Sequence, residues 1–427
     1  MIAERHPLAP ATNLATAHFV AAHLALVVAL AGLVAEPALP WALDSRPRLT
    51  ALLHLVTLGW ISGSILGALY LVTPLAFARP LRATMADRVA YVAYWGGVCG
   101  VAAAFWTGNF GGLPVAAAFV LSAVVVVGAR TMRALWRAPL PAAIPLHVGL
   151  AFANLVVAGG LGMVMALGRG GGAPPGVVMP LVEAHAHLAV LGWTVMMIFG
   201  VGYRLLPMVL PTAMPRGRSL VASALLLEAG TLGLCSALAR AGDLRPWAAL
   251  IGAAFVAFFA HVVRMLANPR PRPVDLPVPD WSTRQTAFAL SYGLVAVGLG
   301  GWLAATTAPA GVRWAYAVSG LLGFASQLIV GIQGRLVPLQ AWFRAMERRK
   351  APPTISAHVL VTPWLAASVC LLWQCGLPAL TAGLVGARAP LVGAGAALLL
   401  VATLAHAWHG WTMFARAARA EASNRRP

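Results

Sequence analysis

Three histidines and one glutamate in two apolar segments carry the chemistry that this sequence indicates most clearly. His54 opens one segment, and Glu183, His185 and His187 lie together in another. Neutral imidazoles can ligate a haem iron from both faces of the porphyrin, and an imidazole inside an apolar segment is costly unless it is paired or ligating. We therefore expect His54 and His187 to be axial haem ligands, with His185 as the alternative to His187. Hydrogen bonding between helices is the alternative role for the same residues.

The spacing within the second segment limits which histidines can share one ligand. His185 and His187 are two residues apart, so on a straight helix their side chains point roughly 200° away from each other. Either each faces its own cofactor pocket, or one is a ligand while the other packs near the membrane surface. Glu183 lies one helical turn before His187, where its carboxylate could accept the second N–H of the imidazole.

Other polar residues in the apolar segments have less defined roles. Glu228 lies in the middle of a segment, and a carboxylate at such a depth must be protonated, paired or beside a polar path. We expect it to serve either a proton path or a structural hydrogen bond. His406 and His409 are flanked by Trp408 and Trp411, a composition typical of the membrane interface.

The elements that must position these side chains are membrane-spanning. Of 427 residues, 60% are hydrophobic and only 10% are charged, with a mean hydropathy of +0.82, whereas soluble domains carry about 25% charged residues. The basic residues behind the net charge of +19 lie at the ends of apolar runs. This pattern indicates a lipid bilayer and excludes nucleic acid as the main partner. The four cysteines lack metal-binding spacing, so neither a disulfide framework nor a zinc site is indicated.

Hydropathy predicts an all-α polytopic membrane protein with twelve transmembrane helices, because about 20 apolar residues cross the bilayer core. The predicted spans are 14–35, 49–75, 89–107, 113–134, 146–167, 181–207, 219–240, 247–267, 285–305, 314–337, 356–382 and 390–415. An even number of spans places both termini on one side of the membrane. All but seven of the 30 Lys and Arg residues fall on that side, so the positive-inside rule predicts that both termini are cytoplasmic.

An internal repeat of roughly 130 residues organises these spans. Residues 54–74 and 187–207 share nine identities in 21 positions, including a histidine, a tryptophan, a tyrosine and a proline. A weaker third copy begins at Val318, which replaces the histidine. The sequence therefore predicts one transmembrane domain over 1–427, built from three parallel four-helix units at about 14–137, 145–267 and 285–415.

Twelve spans, an inward N-terminus, three repeated units and histidines at the outer ends of helices 2 and 6 resemble subunit I of the haem-copper oxidase superfamily. The similarity is closest to its nitric-oxide-reductase-like and cbb-type branches. The string His-Ala-His-Leu-Ala-Val-Leu-Gly-Trp at 185–193 is also similar to the NnrS-type haem and copper membrane proteins. The resemblance implies that His54 is a low-spin haem ligand, and that the His185/His187 pair occupies the position of a copper ligand.

Part of the ligand set of that family is absent from this sequence. The span 219–240 contains no histidine, and Tyr316-Ala317-Val318 stands where the family has its helix 10 His-x-His motif. The usual haem-copper centre therefore cannot form from the same positions. The resemblance implies haem b as the cofactor, whereas copper has only part of its ligand set. Tyr316 is expected to be an aromatic anchor near the outer interface.

We expect a haem-binding protein of the bacterial inner membrane with a role in electron transfer or respiration. The resemblance implies an oxidoreductase-like fold, a periplasmic cytochrome c or quinol as electron donor, and other respiratory subunits as partners. A secondary transporter that uses Glu228 is one alternative. A non-catalytic scaffold or assembly subunit of a respiratory or nitric oxide stress complex is another.

Overall fold

The computed structural model describes residues 8–42, 46–136, 138–170, 175–349 and 355–423 as an all-α membrane protein. In this part of the chain, twelve helices are long and apolar enough to cross a bilayer. They are α1 Thr12–Ala35, α2 Arg46–Leu75, α3 Met85–Thr107, α4 Leu113–Leu135, α5 Ala143–Arg169, α6 Pro180–Val209, α7 Ser219–Ala239, α8 Arg245–Leu266, α9 Trp281–Ala305, α10 Ala310–Glu347, α11 Pro363–Val385 and α12 Ala389–Ala420. The structure thus confirms the twelve predicted spans.

Most helix ends agree with the predicted spans to within a few residues, and the largest differences lie around the connection from α10 to α11. α10 continues to Glu347, whereas the predicted span ends at residue 337. α11 begins at Pro363, not at residue 356, and a short 3-10 turn, Ala357–Leu360, precedes it. Thr362 is extended, with φ −98° and ψ 107°, as expected for a residue before proline. This proline therefore sets the start of the helix.

Three of the helices contain an eight-residue π-helical segment. These segments are Leu55–Ser62 in α2, Leu188–Val195 in α6 and Ser319–Ser326 in α10. They directly follow His54, His187 and Val318, and their first residues are separated by 133 and 131 positions. π-Helical turns are rare and occur frequently at functional sites.

Each π segment is packed closely by the helix that precedes it in the chain. The fifth residue of each segment is a glycine: Gly59, Gly192 and Gly323. A Cβ at Gly192 would lie 2.8 Å from Cβ of Asn154 on α5, and one at Gly323 would overlap the ring of Tyr292 on α9. Glycine is therefore needed for the close approach of these helix pairs.

Side chains of neighbouring helices also bond to the π segments. Tyr94 on α3 donates its hydroxyl to the carbonyl oxygen of Leu58 at 2.7 Å. Trp193, which is 1% exposed, donates its indole N–H to Oγ of Ser62 at 3.0 Å and so joins the π segments of α2 and α6. Because a wide π turn leaves backbone and side-chain groups available, these contacts satisfy polar groups that the bilayer cannot.

The end of the bundle opposite His54 contains a buried ion pair. Oδ1 of Asp87 accepts hydrogen bonds from Nε of Arg130 at 2.7 Å and from the hydroxyl of Tyr70 at 2.9 Å. Its Oδ2 accepts from the backbone N–H of Thr84 at 2.6 Å, which caps the N-terminus of α3. Asp87 is 1% exposed, so this carboxylate ties α2, α3 and α4 together.

Candidate functional site

A cavity with a volume of about 200 Å³ lies among α2, α3, α4, α5 and α6. Its walls are mainly aliphatic and aromatic, with Val101, Phe105 and Val120 among the side chains that form them. His54 and His185 both line this cavity, together with Arg169 at the end of α5. The structure therefore brings two of the three predicted ligand histidines to one apolar site.

The ring of His54 is fixed by its own helix and by α3. Its Nδ1 lies 2.8 Å from the backbone carbonyl oxygen of Thr50. Because a carbonyl oxygen can only accept, Nδ1 carries the proton and the Nε2 lone pair is available to a ligand. The imidazole is stacked on Phe105, with ring centroids 5.2 Å apart and an interplanar angle of 14°. This packing restricts the ring to one orientation.

His185 has the same tautomer, held by a different helix. Its Nδ1 lies 2.9 Å from the carbonyl oxygen of Ala158 on α5, so its Nε2 also keeps a free lone pair. Gly162 leaves room for the ring, because a Cβ there would lie 3.2 Å from Cε1 of His185. A backbone carbonyl that holds the second ring nitrogen is the usual support for a metal-ligating histidine.

His187 does not line the cavity that holds His54. Its ring is stacked on Tyr316 of α10, with centroids 6.0 Å apart. His185 and His187 thus lie on different faces of α6, since residues two apart point in nearly opposite directions. The sequence named His187 as the partner of His54 and His185 as the alternative, and of these two only His185 lines the cavity with His54.

The contact between Glu183 and His187 also differs from the one that the sequence predicts. Nδ1 of His187 lies 2.9 Å from the backbone carbonyl oxygen of Glu183. The carboxylate, which the sequence predicted as the acceptor, belongs to an exposed residue. The cause is the four-residue spacing, which places the imidazole directly over the carbonyl of the preceding turn.

Arg169 and Phe105 are parts of the site that the sequence interpretation did not identify. The guanidinium of Arg169 lies 5.3 Å from the ring centroid of Phe105 and 4.8 Å from that of Phe110. These distances are typical of cation–π contacts. One feature of the sequence could have indicated Arg169: it is a basic residue at the end of a span where basic residues are scarce. It gives the mouth of the cavity a positive charge.

Glu228 lies apart from the cavity, in the middle of α7. Its Oε2 accepts a hydrogen bond of 2.7 Å from Nδ2 of Asn154 on α5. The same amide nitrogen lies 3.2 Å from the carbonyl oxygen of Gly192, in the π segment of α6. The carboxylate is half-buried and is therefore connected to a π segment through a single side chain.

The two histidines near the C-terminus lie on the buried side of α12, whereas the tryptophans beside them lie on its exposed side. His406 and His409 are 8% and 3% exposed, whereas Trp408 and Trp411 are each 55% exposed. Nε2 of His409 accepts the backbone N–H of Thr362 at 2.9 Å and so caps α11. The histidines and the tryptophans therefore occupy different sides of one helix, and the interfacial position that the sequence predicts for this segment stays a prediction.

No protein-family model and no curated protein matches this sequence. Among the residues that the structure describes, no three His, Cys, Asp or Glu side chains converge as a metal site would require. The site thus offers two nitrogen ligands in an apolar cavity. This number suits a metal whose other ligands come from a porphyrin.

Proposed function

We propose that this multi-pass membrane protein binds haem b between His54 and His185 and transfers electrons in the bacterial inner membrane. The observation that supports the proposal is that both imidazoles line one apolar cavity and that, within the part of the chain that the structure describes, their Nε2 atoms have no protein partner. Each ring is held through Nδ1 by a backbone carbonyl, as expected of axial ligands.

The chemistry of the cavity fits a haem better than its volume does. Apolar walls suit the porphyrin ring, and Arg169 could pair with a propionate. The volume of about 200 Å³ is below the roughly 300–1,000 Å³ of typical buried ligand sites. Haem binding therefore requires the side chains at the mouth of the cavity to move apart, as the exposed Arg169 can do.

Haem would supply one-electron redox chemistry, and the protein would supply binding and orientation. His54 and His185 would hold the iron with their Nε2 atoms, and Phe105 would fix the plane of His54. Apolar walls would exclude water and so influence the reduction potential. The electron donor would be a periplasmic cytochrome c or a quinol, with other respiratory subunits as partners.

We also propose that the fold consists of three related four-helix units, as in subunit I of the haem-copper oxidase superfamily. The three π segments support this organisation, because they recur at intervals of 133 and 131 residues that equal the offsets of the sequence repeat. Each segment also has a glycine at its fifth position. A copper centre at the family's position has no support, since α7 lacks the histidines that would complete it.

The haem content of the purified protein tests this proposal. After expression in haem-replete cells, the wild-type protein should show a Soret band and about one haem per chain by pyridine haemochrome assay. His54→Ala and His185→Ala should each lower the haem content at least about tenfold, because each removes an axial ligand. His187→Ala is the matched control. It should retain haem, since the ring of His187 lies against Tyr316.

Two results would contradict the proposal. Colourless wild-type protein with a normal size-exclusion profile would exclude haem binding, and proton uptake that is lost in Glu228→Gln would then favour a transporter. Haem loss in His187→Ala, with haem retained in His185→Ala, would show that the ligand on α6 is His187 and not His185. Copurification of partner subunits with apo-protein would instead point to a scaffold.

A further inference from the structure

Glu228 is an acidic residue deep in a membrane-spanning helix, and the proposed haem site does not use it. Its helix, α7, runs from Ser219 to Ala239, and at about 1.5 Å per residue Glu228 lies roughly 14–16 Å from either end. The hydrocarbon core of a bilayer is about 30 Å thick. The carboxyl group therefore lies near the middle of the membrane, and it does not line the cavity that holds His54 and His185.

The side chain of Glu228 lies on the border between the buried and the lipid-facing sides of α7. Leu225 and Leu232, three residues before it and four residues after it, are 57% and 48% exposed. Residues at these spacings share one side of a helix. Leu227 is fully buried, whereas Glu228 itself is half-buried. One edge of the carboxyl group is therefore open to the lipid.

The polar partner of Glu228 is an amide and not a cation. Nδ2 of Asn154 donates to its Oε2 at 2.7 Å, and none of the ion pairs among the described residues includes Glu228. A neutral amide does not compensate the charge of a carboxylate. Without a cation or bulk water, the surroundings at this depth disfavour the charged form. They therefore favour the neutral carboxylic acid.

Ionisable side chains of α7 and its neighbours make their contacts with α7 at other levels of the membrane. Within the described residues, these contacts are at least five positions from Glu228, a rise of roughly 7 Å or more. They are His147 and Tyr203 with Ser223, His261 with Ser219, Cys235 with the carbonyl oxygen of Ala184, and Arg240 with Ser236. A charge on one of these groups is thus not in contact with the carboxyl group.

We propose that Glu228 is a proton-binding site in the middle of the membrane, where lipid-soluble carbodiimides modify it. The carboxyl oxygen adds to the central carbon of the carbodiimide, and the carboxyl proton moves to one nitrogen of the reagent. The acyl group then migrates from the oxygen to the other nitrogen and gives a stable N-acylurea. All atoms of both reactants stay in the product, so no further reactant is needed. Absence of bulk water favours this migration over hydrolysis.

Labelling of the full-length protein in liposomes with a fluorescent, lipid-soluble carbodiimide tests this inference. Intact-mass spectrometry should show one label per wild-type chain at neutral pH, and Glu228→Gln should abolish labelling while it keeps an acceptor for Asn154. Labelling should fall as the pH is raised, because the ionised carboxylate lacks the proton that the reaction transfers. A water-soluble, charged carbodiimide should not label Glu228.

Glu183→Gln is the matched control, because Glu183 is an exposed glutamate near the end of its helix, where water stabilises the charged form. This variant should take up the lipid-soluble label as the wild type does.

Three results would overturn the inference. Unlabelled wild-type protein with a normal size-exclusion profile would mean that the carboxyl group is charged or closed to the lipid. Equal labelling of wild type and Glu228→Gln would assign the reaction to another residue. Labelling that stays constant at alkaline pH would mean that the proton is never released and that Glu228 is a structural hydrogen-bonding residue. The assay needs no haem, so failure of the haem proposal is distinguishable from failure of this one.

Discussion

The histidines of this protein differ in whether their ring nitrogens already have partners. His147 has two hydrogen bonds, to Ala143 and Ser223, and so is fully used in holding α5 to α7. His54 and His185 each have one. A membrane interior offers no water to the remaining nitrogen. A free lone pair on a ring that also lines the cavity, as in His54 and His185 but not in His187, therefore separates the candidate ligands from the other histidines.

Asp87 is the residue whose substitution should destabilise the protein most clearly, because its carboxylate is lost. Asp87→Ala would leave Nε of Arg130 and the hydroxyl of Tyr70 without their acceptor, while Nη2 of Arg130 would still donate to the carbonyl oxygen of Arg82. Breaking a buried pair from one side typically costs about 3–5 kcal/mol. We expect a loss of this size in the free energy of unfolding measured by titration with a denaturing detergent.

The matched control is Asp243, which pairs with Arg245 at the surface, where the two side chains are 52% and 70% exposed. Asp243→Ala should leave unfolding unchanged, because solvent screens such a pair. Equal effects of the two substitutions would show that burial of Asp87 does not determine the strength of its interactions.

At this scale the sequence predicted the residue types but not the partners. Depth along the helices singled out His54, His185 and His187, because an imidazole in an apolar run is conspicuous. The direction of each ring depends on neighbouring helices, which hydropathy does not reveal. Only the structure shows that Tyr316 meets His187 and that Phe105 meets His54.

At the scale of elements, the π segments determine how helices approach one another. Hydrophobic patterning predicts that α2, α6 and α10 are helices, yet it contains no signal for an extra residue per turn. The π conformation depends on contacts from other helices, such as the bond from Tyr94 to the carbonyl of Leu58. For this reason the π conformation of these segments could not be predicted, although the sequence repeat that contains them could be recognised.

The glycines of the π segment in α10 provide a matched pair of substitutions. Gly323→Ala would place a Cβ in the ring of Tyr292 on α9, whereas Gly320→Ala, in the same segment, meets no atom within 4 Å. Overpacking a close contact costs about 1–3 kcal/mol. We expect Gly323→Ala to lower the unfolding temperature of the protein in detergent. Gly320→Ala should leave that temperature unchanged or raise it slightly. Similar effects of both would mean that α9 does not depend on this close approach.

At the scale of the whole molecule, the bilayer explains why the twelve long apolar helices could be predicted from the sequence. Every backbone polar group of a spanning segment must be bonded internally, so apolar runs of sufficient length have helix as their only accessible form in this chain. The exception lies at the connection after α10. Hydropathy alone predicts that the next helix begins at residue 356, whereas it begins at Pro363. The side of the membrane on which the cavity opens depends on the orientation of the helices, which the distribution of basic residues predicts.

Reporter fusions test that orientation. Green fluorescent protein at the C-terminus should fluoresce, and alkaline phosphatase inserted at Gly111, between α3 and α4, should be active, because the positive-inside rule puts them on opposite sides. Phosphatase inserted at Arg82, between α2 and α3, should be inactive and is the matched control. His54 and Arg169 lie at the same end of the bundle as the α3–α4 connection, since Arg169 contacts Phe110 there. The reverse pattern would place the cavity at the cytoplasmic end, and a periplasmic cytochrome c could then not be the electron donor.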